Sequence, residues 1–174
     1  IFLEPIGRNT APSLTMAALM QEDDPILVVL PSDQAIDDVK LNEAIARAVE
    51  ACEAGEIVLL GIKPTYPETG YGYIKTVDAP SEESPVAVER FVEKPDLETA
   101  KTYLEAGTYL WNSGIFILKV STWLKALNAC RPDIATAAGE AWSKRTSLSD
   151  NEITVSREDF LQIPSESVDF AVLE

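Results

Sequence analysis

Apolar residues run along this chain in two rhythms. Pro25-Ile26-Leu27-Val28-Val29-Leu30-Pro31 and Glu56-Ile57-Val58-Leu59-Leu60-Gly61-Ile62 are unbroken apolar runs, which predict strands buried on both faces rather than alternating surface strands. Between them Leu41, Ile45, Ala48 and Val49 follow a helical spacing that opens after Asp37 and Asp38 and closes at Gly55. Strand, helix and strand in this order predict a right-handed crossover with parallel strands, and so an α/β sheet. Ile1-Phe2-Leu3 reads as a strand stub, and Ser13 to Met20 as a helix with a long apolar face.

The middle of the chain changes character. Tyr71 to Val77 and Val86 to Val92 read as two strands joined by the acidic loop Asp78 to Pro85, antiparallel or at a sheet edge. Asp96 caps a helix over Leu97 to Ala106, and Thr108 to Val120 is extended with an interruption at Asn112-Ser113-Gly114. Helices follow over Ser121 to Asn128, Asp133 to Lys144 and Arg157 to Leu161, with Arg145 to Asn151 as a polar loop. No linker is strong enough to divide the 174 residues, a length that suits one substantial core.

A formal charge of −15 argues against long nucleic acid as a partner, where a basic patch supplies most of the affinity. No stretch reaches membrane-span length without charge, and no signal-peptide pattern opens the chain. Cys52 and Cys130, with no CxxC spacing, read as reduced core thiols, which favours the cytoplasm. Histidine is missing altogether, so the usual general base and commonest transition-metal ligand are not available. Chemistry here would have to rest on carboxylates, cations, amides and a hard metal ion.

Candidate residues cluster just after apolar runs, where ligands of open α/β sheets collect. In Glu4-Pro5-Ile6-Gly7-Arg8-Asn9-Thr10-Ala11-Pro12, Gly7 allows close backbone approach, Asn9 or Thr10 can cap, and Pro12 suits a first helical turn. Asp33 follows the first long apolar run; it can hold a divalent cation beside a phosphate, or simply cap a turn. Gly70 and Gly72 open a strand between tyrosines, facing either a ligand or only a tight turn. Glu93-Lys94-Pro95 pairs a carboxylate suited to sugar hydroxyls with an ammonium suited to phosphate, or is an exposed charge pair before a helix. Asn112 and Ser113 are polar groups set among apolar neighbours, and need either backbone or ligand as partner.

In this order the segments EPIGRNTAP, LPSDQAI, TGYGYI, FVEKP, WNSGIF and SVDFAVLE resemble the sugar-nucleotide pyrophosphorylases, most closely their mannose-1-phosphate guanylyltransferase (GDP-mannose pyrophosphorylase) branch. The resemblance covers nearly the whole chain. One departure is Gln34, where that branch usually carries histidine.

The resemblance implies a Rossmann-like nucleotidyltransferase fold, α/β with a mixed and mostly parallel sheet flanked by helices. It implies an enzyme that forms GDP-mannose and pyrophosphate from GTP and mannose 1-phosphate. Gly7, Arg8, Asn9 and Thr10 would then bind the nucleotide, and Asp33 would ligate Mg2+. Gly72, Glu93 and Asn112 would contact the sugar, with Lys94 at its phosphate; Asp33 and Lys94 carry the catalysis, and Asp169 supports the site. The family's glycine-rich loop and its later W-x-D-x-G segment do not occur within residues 1–174, which implies one partial domain, incomplete at both ends and inactive alone. A homo-oligomer is compatible with all of this. Two alternatives stay open: a non-catalytic sugar-nucleotide-binding relative, and a pyrophosphorylase for glucose 1-phosphate with UTP or dTTP.

Overall fold

Asn9 starts the first helix by accepting the Thr10 amide hydrogen on its own side-chain oxygen, and the helix, α1 (Thr10–Leu19), runs with Pro12 in its first turn. The structure, a computed structural model, describes residues 1–81 and 83–173. The described chain folds as two compact units, Ile1–Pro25 with Val120–Leu173, and Ile26–Lys119.

In the first unit α1 is joined by α4 (Val120–Cys130), α5 (Pro132–Ser143) and α6 (Arg157–Leu161). Met16, Trp123, Leu127, Ile134, Ala138, Phe160 and Ile163 are fully or almost fully buried. The Trp123 indole donates to Thr15 Oγ1 at 3.2 Å, and that hydroxyl donates to the Ala11 carbonyl at 2.7 Å, so the buried polar groups are satisfied. Asp24 holds the start of α4 by accepting from the Ser121 amide and hydroxyl, each at 2.7 Å. The polar stretch predicted as a loop is instead a small hairpin of two strands, Thr146–Ser149 and Glu152–Thr154. The reason is local: Thr and Ile favour the pleat on either side of a turn at Asp150-Asn151, and Phe2 adds a parallel bridge to Ile153. The last described residues, Asp169–Leu173, form a π-helical turn, which periodicity does not foretell.

The second unit is built on a sheet of β1 (Ile26–Val29), β2 (Val58–Ile62), β3 (Tyr73–Thr76), β4 (Val88–Val92) and β5 (Tyr109–Lys119), with α2 (Asp38–Glu53) and α3 (Leu97–Ala106) packed against it. The α/β class and flanking helices are those predicted, but the mostly parallel pairing is corrected: each ladder among these five strands is antiparallel. Strands β1 and β2 do run in the same direction, being both antiparallel to β5. Both pair with Phe116 and Ile117, so they lie on opposite edges of β5. The eleven-residue β5, buried at Ile115 through Leu118, takes the central place that a simple crossover would have left to β1 and β2 as neighbours.

The expectation that β1 is buried on both faces also changes. Val28 is 38% and Leu30 is 47% exposed, because among the described residues β1 is laddered only to β5. Beneath the sheet, Ala48 and Cys52 of α2 pack on Ile117 with Ile26, Ile45, Val58 and Leu60. The Cys52 thiol donates to the Ile117 carbonyl at 3.2 Å, and burial pushes its pKa up. Cys130, expected in a core, is exposed.

Asp96 caps α3 by accepting the Thr99 amide at 2.8 Å, and Gly107 (φ 69°) closes it in the left-handed conformation. That amide bond, then the Thr99 hydroxyl, hold the Asp96 carboxyl below its ordinary 3.8. A carboxyl depressed by folding contributes stability above its unfolded pKa and loses it as pH falls through the folded value. Asp96→Ala should therefore lower the melting temperature at neutral pH, and the difference from wild type should shrink below pH 3.8. A gap that persists unchanged into stronger acid would show that the charge is not what stabilises the cap.

Candidate functional site

The second unit brings four of the predicted residues together. Gly72 stands immediately before β3 and Glu93 immediately after β4, across the register that pairs Tyr73 with Val92. A Cβ placed on Gly72 would lie 2.6 Å from Phe91 Cζ and 2.8 Å from Glu93 Oε2, so glycine is required for the carboxylate and ring to close over the backbone. The Asn112 amide donates to the Gly72 carbonyl at 2.8 Å, and Lys94 Nζ pairs with Glu93 Oε1 at 2.9 Å. Lys94 has φ 44°, a left-handed backbone uncommon outside glycine and asparagine; such outliers gather at functional sites. Its amide donates to the Tyr71 carbonyl at 3.3 Å, and its side chain is 63% exposed. An exposed pair contributes little stability, so its interest lies in the charges presented.

Pleat alternation sets Gly72, Glu93 and Asn112 on the face opposite Tyr73 and Trp111. On that opposite face Tyr66 and Tyr71 meet the Trp111 ring edge-on, at 4.9 and 5.5 Å.

Asn112 stands at the edge of a distortion in β5. Leu59 pairs with Phe116 but Gly61 pairs with Asn112, so β5 carries two more residues across this interval than β2 does. The Ser113 hydroxyl donates to the Leu60 carbonyl at 2.6 Å and accepts the Ile115 amide at 3.2 Å. Gly114 has φ 72°, and its amide donates to Asn112 Oδ1 at 3.1 Å. The interruption at Asn112-Ser113-Gly114 is thus a bulge stitched by its own side chains, for which a polar pair followed by glycine inside a strand was the signal.

Asp33 sits with Ser32 in an exposed turn after β1. Among the described residues no three His, Cys, Asp or Glu side chains gather as a metal cluster. A lone exposed carboxylate does fit a small hard cation that keeps waters and substrate phosphates as its other ligands. Gln34 next to it donates from Nε2 to the Ser113 carbonyl at 2.7 Å, a tie that sequence reading missed.

Gly7, Arg8, Asn9 and Thr10 belong to the first unit and make their contacts there. Arg8 donates from Nε (3.0 Å) and Nη2 (2.6 Å) to the Ile163 carbonyl, so two of its five donors serve the backbone. Thr10 Oγ1 accepts the Val168 amide at 2.9 Å, and the Ala11 amide donates to the Glu166 carbonyl at 3.1 Å. Asn9 holds φ 69°, a conformation asparagine tolerates. Space beside Gly7 is open, with no atom within 4 Å of where a Cβ would lie. The segment Ile163 to Val168 is therefore the frame of this turn, which its distance in sequence concealed.

A glycine cradle, a carboxylate, a lysine and a stitched bulge thus stand together where β3, β4 and β5 meet. A family model described as nucleotidyl transferase matches residues 1–153, and the chain belongs to the nucleotidyl transferase family. It is 48% identical to the xanthan biosynthesis protein XanB of Xanthomonas campestris pv. campestris and 45% identical to the mannose-1-phosphate guanylyltransferase of Escherichia coli, in each case over 100% of this chain. It spans 37% and 38% of those two relatives. Among solved structures it resembles a mannose-6-phosphate isomerase from Helicobacter pylori, with TM-score 0.90 and 27% identity over 99% of this chain and 67% of that one. It also resembles a mannose-1-phosphate geranyltransferase from Thermus thermophilus, with TM-score 0.81 and 35% identity over 99% of this chain and 49% of that one.

Proposed function

We propose that the protein of which these residues are part is a mannose-1-phosphate guanylyltransferase, joining GTP and mannose 1-phosphate to GDP-mannose with release of pyrophosphate. The observation that carries this reading is the Gly72 cradle, where the Glu93 carboxylate closes over the space a side chain would fill and pairs with Lys94, whose backbone is strained. Relatives named for guanylyl transfer to mannose 1-phosphate, and for xanthan and alginate biosynthesis, support it and suggest a place in polysaccharide synthesis.

A sugar phosphate is already ionised near neutral pH. Its oxygen attacks the α-phosphorus of GTP in line, forming one P–O bond as the bond to the bridging oxygen breaks and pyrophosphate leaves. No protein base is needed, which suits a chain without histidine. Glu93 accepts hydrogen bonds from sugar hydroxyls, Asn112 borders the same subsite, and Lys94 sets its charge at the sugar phosphate. Gly7, Arg8, Asn9 and Thr10 receive the nucleoside, with Arg8 acting through the frame it grips. Asp33 would hold Mg2+, which when bound neutralises charge on the triphosphate. Asp169 begins the final π-helical turn and is assigned a supporting role.

No helix among the described residues is long and apolar enough to cross a membrane. Two unpaired thiols agree with a cytoplasmic setting, and a homo-oligomer is compatible with the reading.

The test is pyrophosphate release by the full-length protein with GTP, mannose 1-phosphate and Mg2+, against glucose 1-phosphate with UTP or dTTP. Lys94→Ala should raise the KM for mannose 1-phosphate about 10- to 100-fold, the effect of losing a charge-assisted hydrogen bond, and that for GTP much less. Binding of GDP-mannose without turnover would favour a non-catalytic relative instead.

A further inference from the structure

The turn that carries Asp33 has little to hold it. Residues 32–36 are all exposed, and burial of apolar surface cannot fix their place. Strand β1 leaves β5 at the Val29–Phe116 pair, and β3 joins the same edge only at Tyr73–Trp111. Between those points lie Asn112, Ser113, Gly114 and Ile115, and the chain after β1 meets the strand here. Pro31 Cγ lies 3.5 Å from where a Cβ on Gly114 would be, and Gln34 Nε2 reaches the Ser113 carbonyl at 2.7 Å.

Ser113 is the best tethered point of the bulge, bonded through its hydroxyl to both Leu60 and Ile115. One residue earlier, Asn112 donates its amide to Gly72, whose missing side chain makes room for Glu93. A path of two hydrogen bonds joined by the peptide link between Asn112 and Ser113 thus runs from the neighbour of Asp33, through the bulge, to the Gly72 cradle.

We infer that Gln34 is a positioning residue: by clipping the Asp33 turn to the Ser113 carbonyl, it sets the metal-ligating carboxylate and the Gly72–Glu93 cradle in one register. The inference rests on the function proposed above. The role requires a hydrogen-bond donor of this reach, since a carbonyl only accepts, and Gln34 presents its amide nitrogen. Asparagine is one methylene shorter, and glutamate offers no donor when ionised.

The experiment uses Gln34→Met in the full-length protein, which keeps side-chain length while removing the donor and adding no charge. One net hydrogen bond corresponds to about three- to tenfold. The Mg2+ concentration for half-maximal activity and the KM for mannose 1-phosphate should both rise by that factor, with kcat and melting temperature close to wild type. Hydrogen exchange of the same variant should quicken both in the turn 31–37 and in the bulge 112–115. Wild-type values for both kinetic quantities, or a shift in only one of them, would overturn the shared register, as would exchange that quickens in the turn alone. If the wild-type protein transfers no nucleotide, the proposed function fails, while the exchange measurement still decides whether Gln34 clips the turn to the bulge.

Discussion

Gly72→Ala is expected to lower kcat/KM for mannose 1-phosphate by about 10- to 100-fold while leaving the circular dichroism of the full-length protein unchanged. The new methyl would overlap Phe91 Cζ at 2.6 Å and Glu93 Oε2 at 2.8 Å, closer than real Cβ contacts come. Phe91 is 8% exposed and packed into the core, so it yields little, and the carboxylate is the part that swings away. Glu93 then no longer meets the sugar, and losing a hydrogen bond to a charged group costs about 1.5–3 kcal/mol, which gives the stated factor. Overpacking adds about 1–3 kcal/mol of lost stability, readable as a lower melting temperature. Gly70→Ala is the control, because its Cβ would meet only the flexible end of Glu68, at 3.2 Å. If Gly72→Ala keeps kcat/KM within about threefold of wild type, Glu93 is not held over this backbone for the sugar's sake.

The fate of each prediction follows from how local its cause was. Helix α3 was readable because its start and stop are both written in neighbouring residues, Asp96 and Gly107. The bulge was readable as an interruption, since Asn-Ser-Gly inside an apolar strand breaks the pattern at the point where it occurs. Strand order was another matter: nothing in β1 or β2 announces that a strand much later in the chain will lie between them. Arg8 shows the same limit, because a guanidinium in a polar turn looks like a ligand group until Ile163 is placed against it. Gln34 was noticed only as a departure from a family pattern. Its bond to Ser113 spans 79 positions, and no local rhythm encodes that. Gly72, Glu93 and Lys94 were singled out only through the order of motifs they share with a family, since each by itself is equally a tight turn or an exposed charge pair.

Asp33→Asn should produce the largest loss of all, about two to four orders of magnitude in kcat/KM, with the protein as stable as wild type. The substitution changes one oxygen to an amide nitrogen at nearly constant volume on an exposed turn, so packing is untouched. What it removes is a full negative charge where a divalent cation would be held against the triphosphate. Such charge stabilisation is worth several kcal/mol in the transition state, and each 1.36 kcal/mol is about tenfold in rate. Among the described residues there is no cluster of acidic side chains near enough to one another to stand in for it. The loss should therefore appear as a raised Mg2+ requirement together with a lowered limiting rate. Binding of mannose 1-phosphate alone, measured by calorimetry, should stay near wild type, because Gly72, Glu93 and Lys94 are left as they were. This separates Asp33 from Gln34, whose loss moves metal and sugar phosphate together and by far less. A variant with near-normal rate and an unchanged Mg2+ midpoint would remove Asp33 from the metal site and leave it as the cap of a turn.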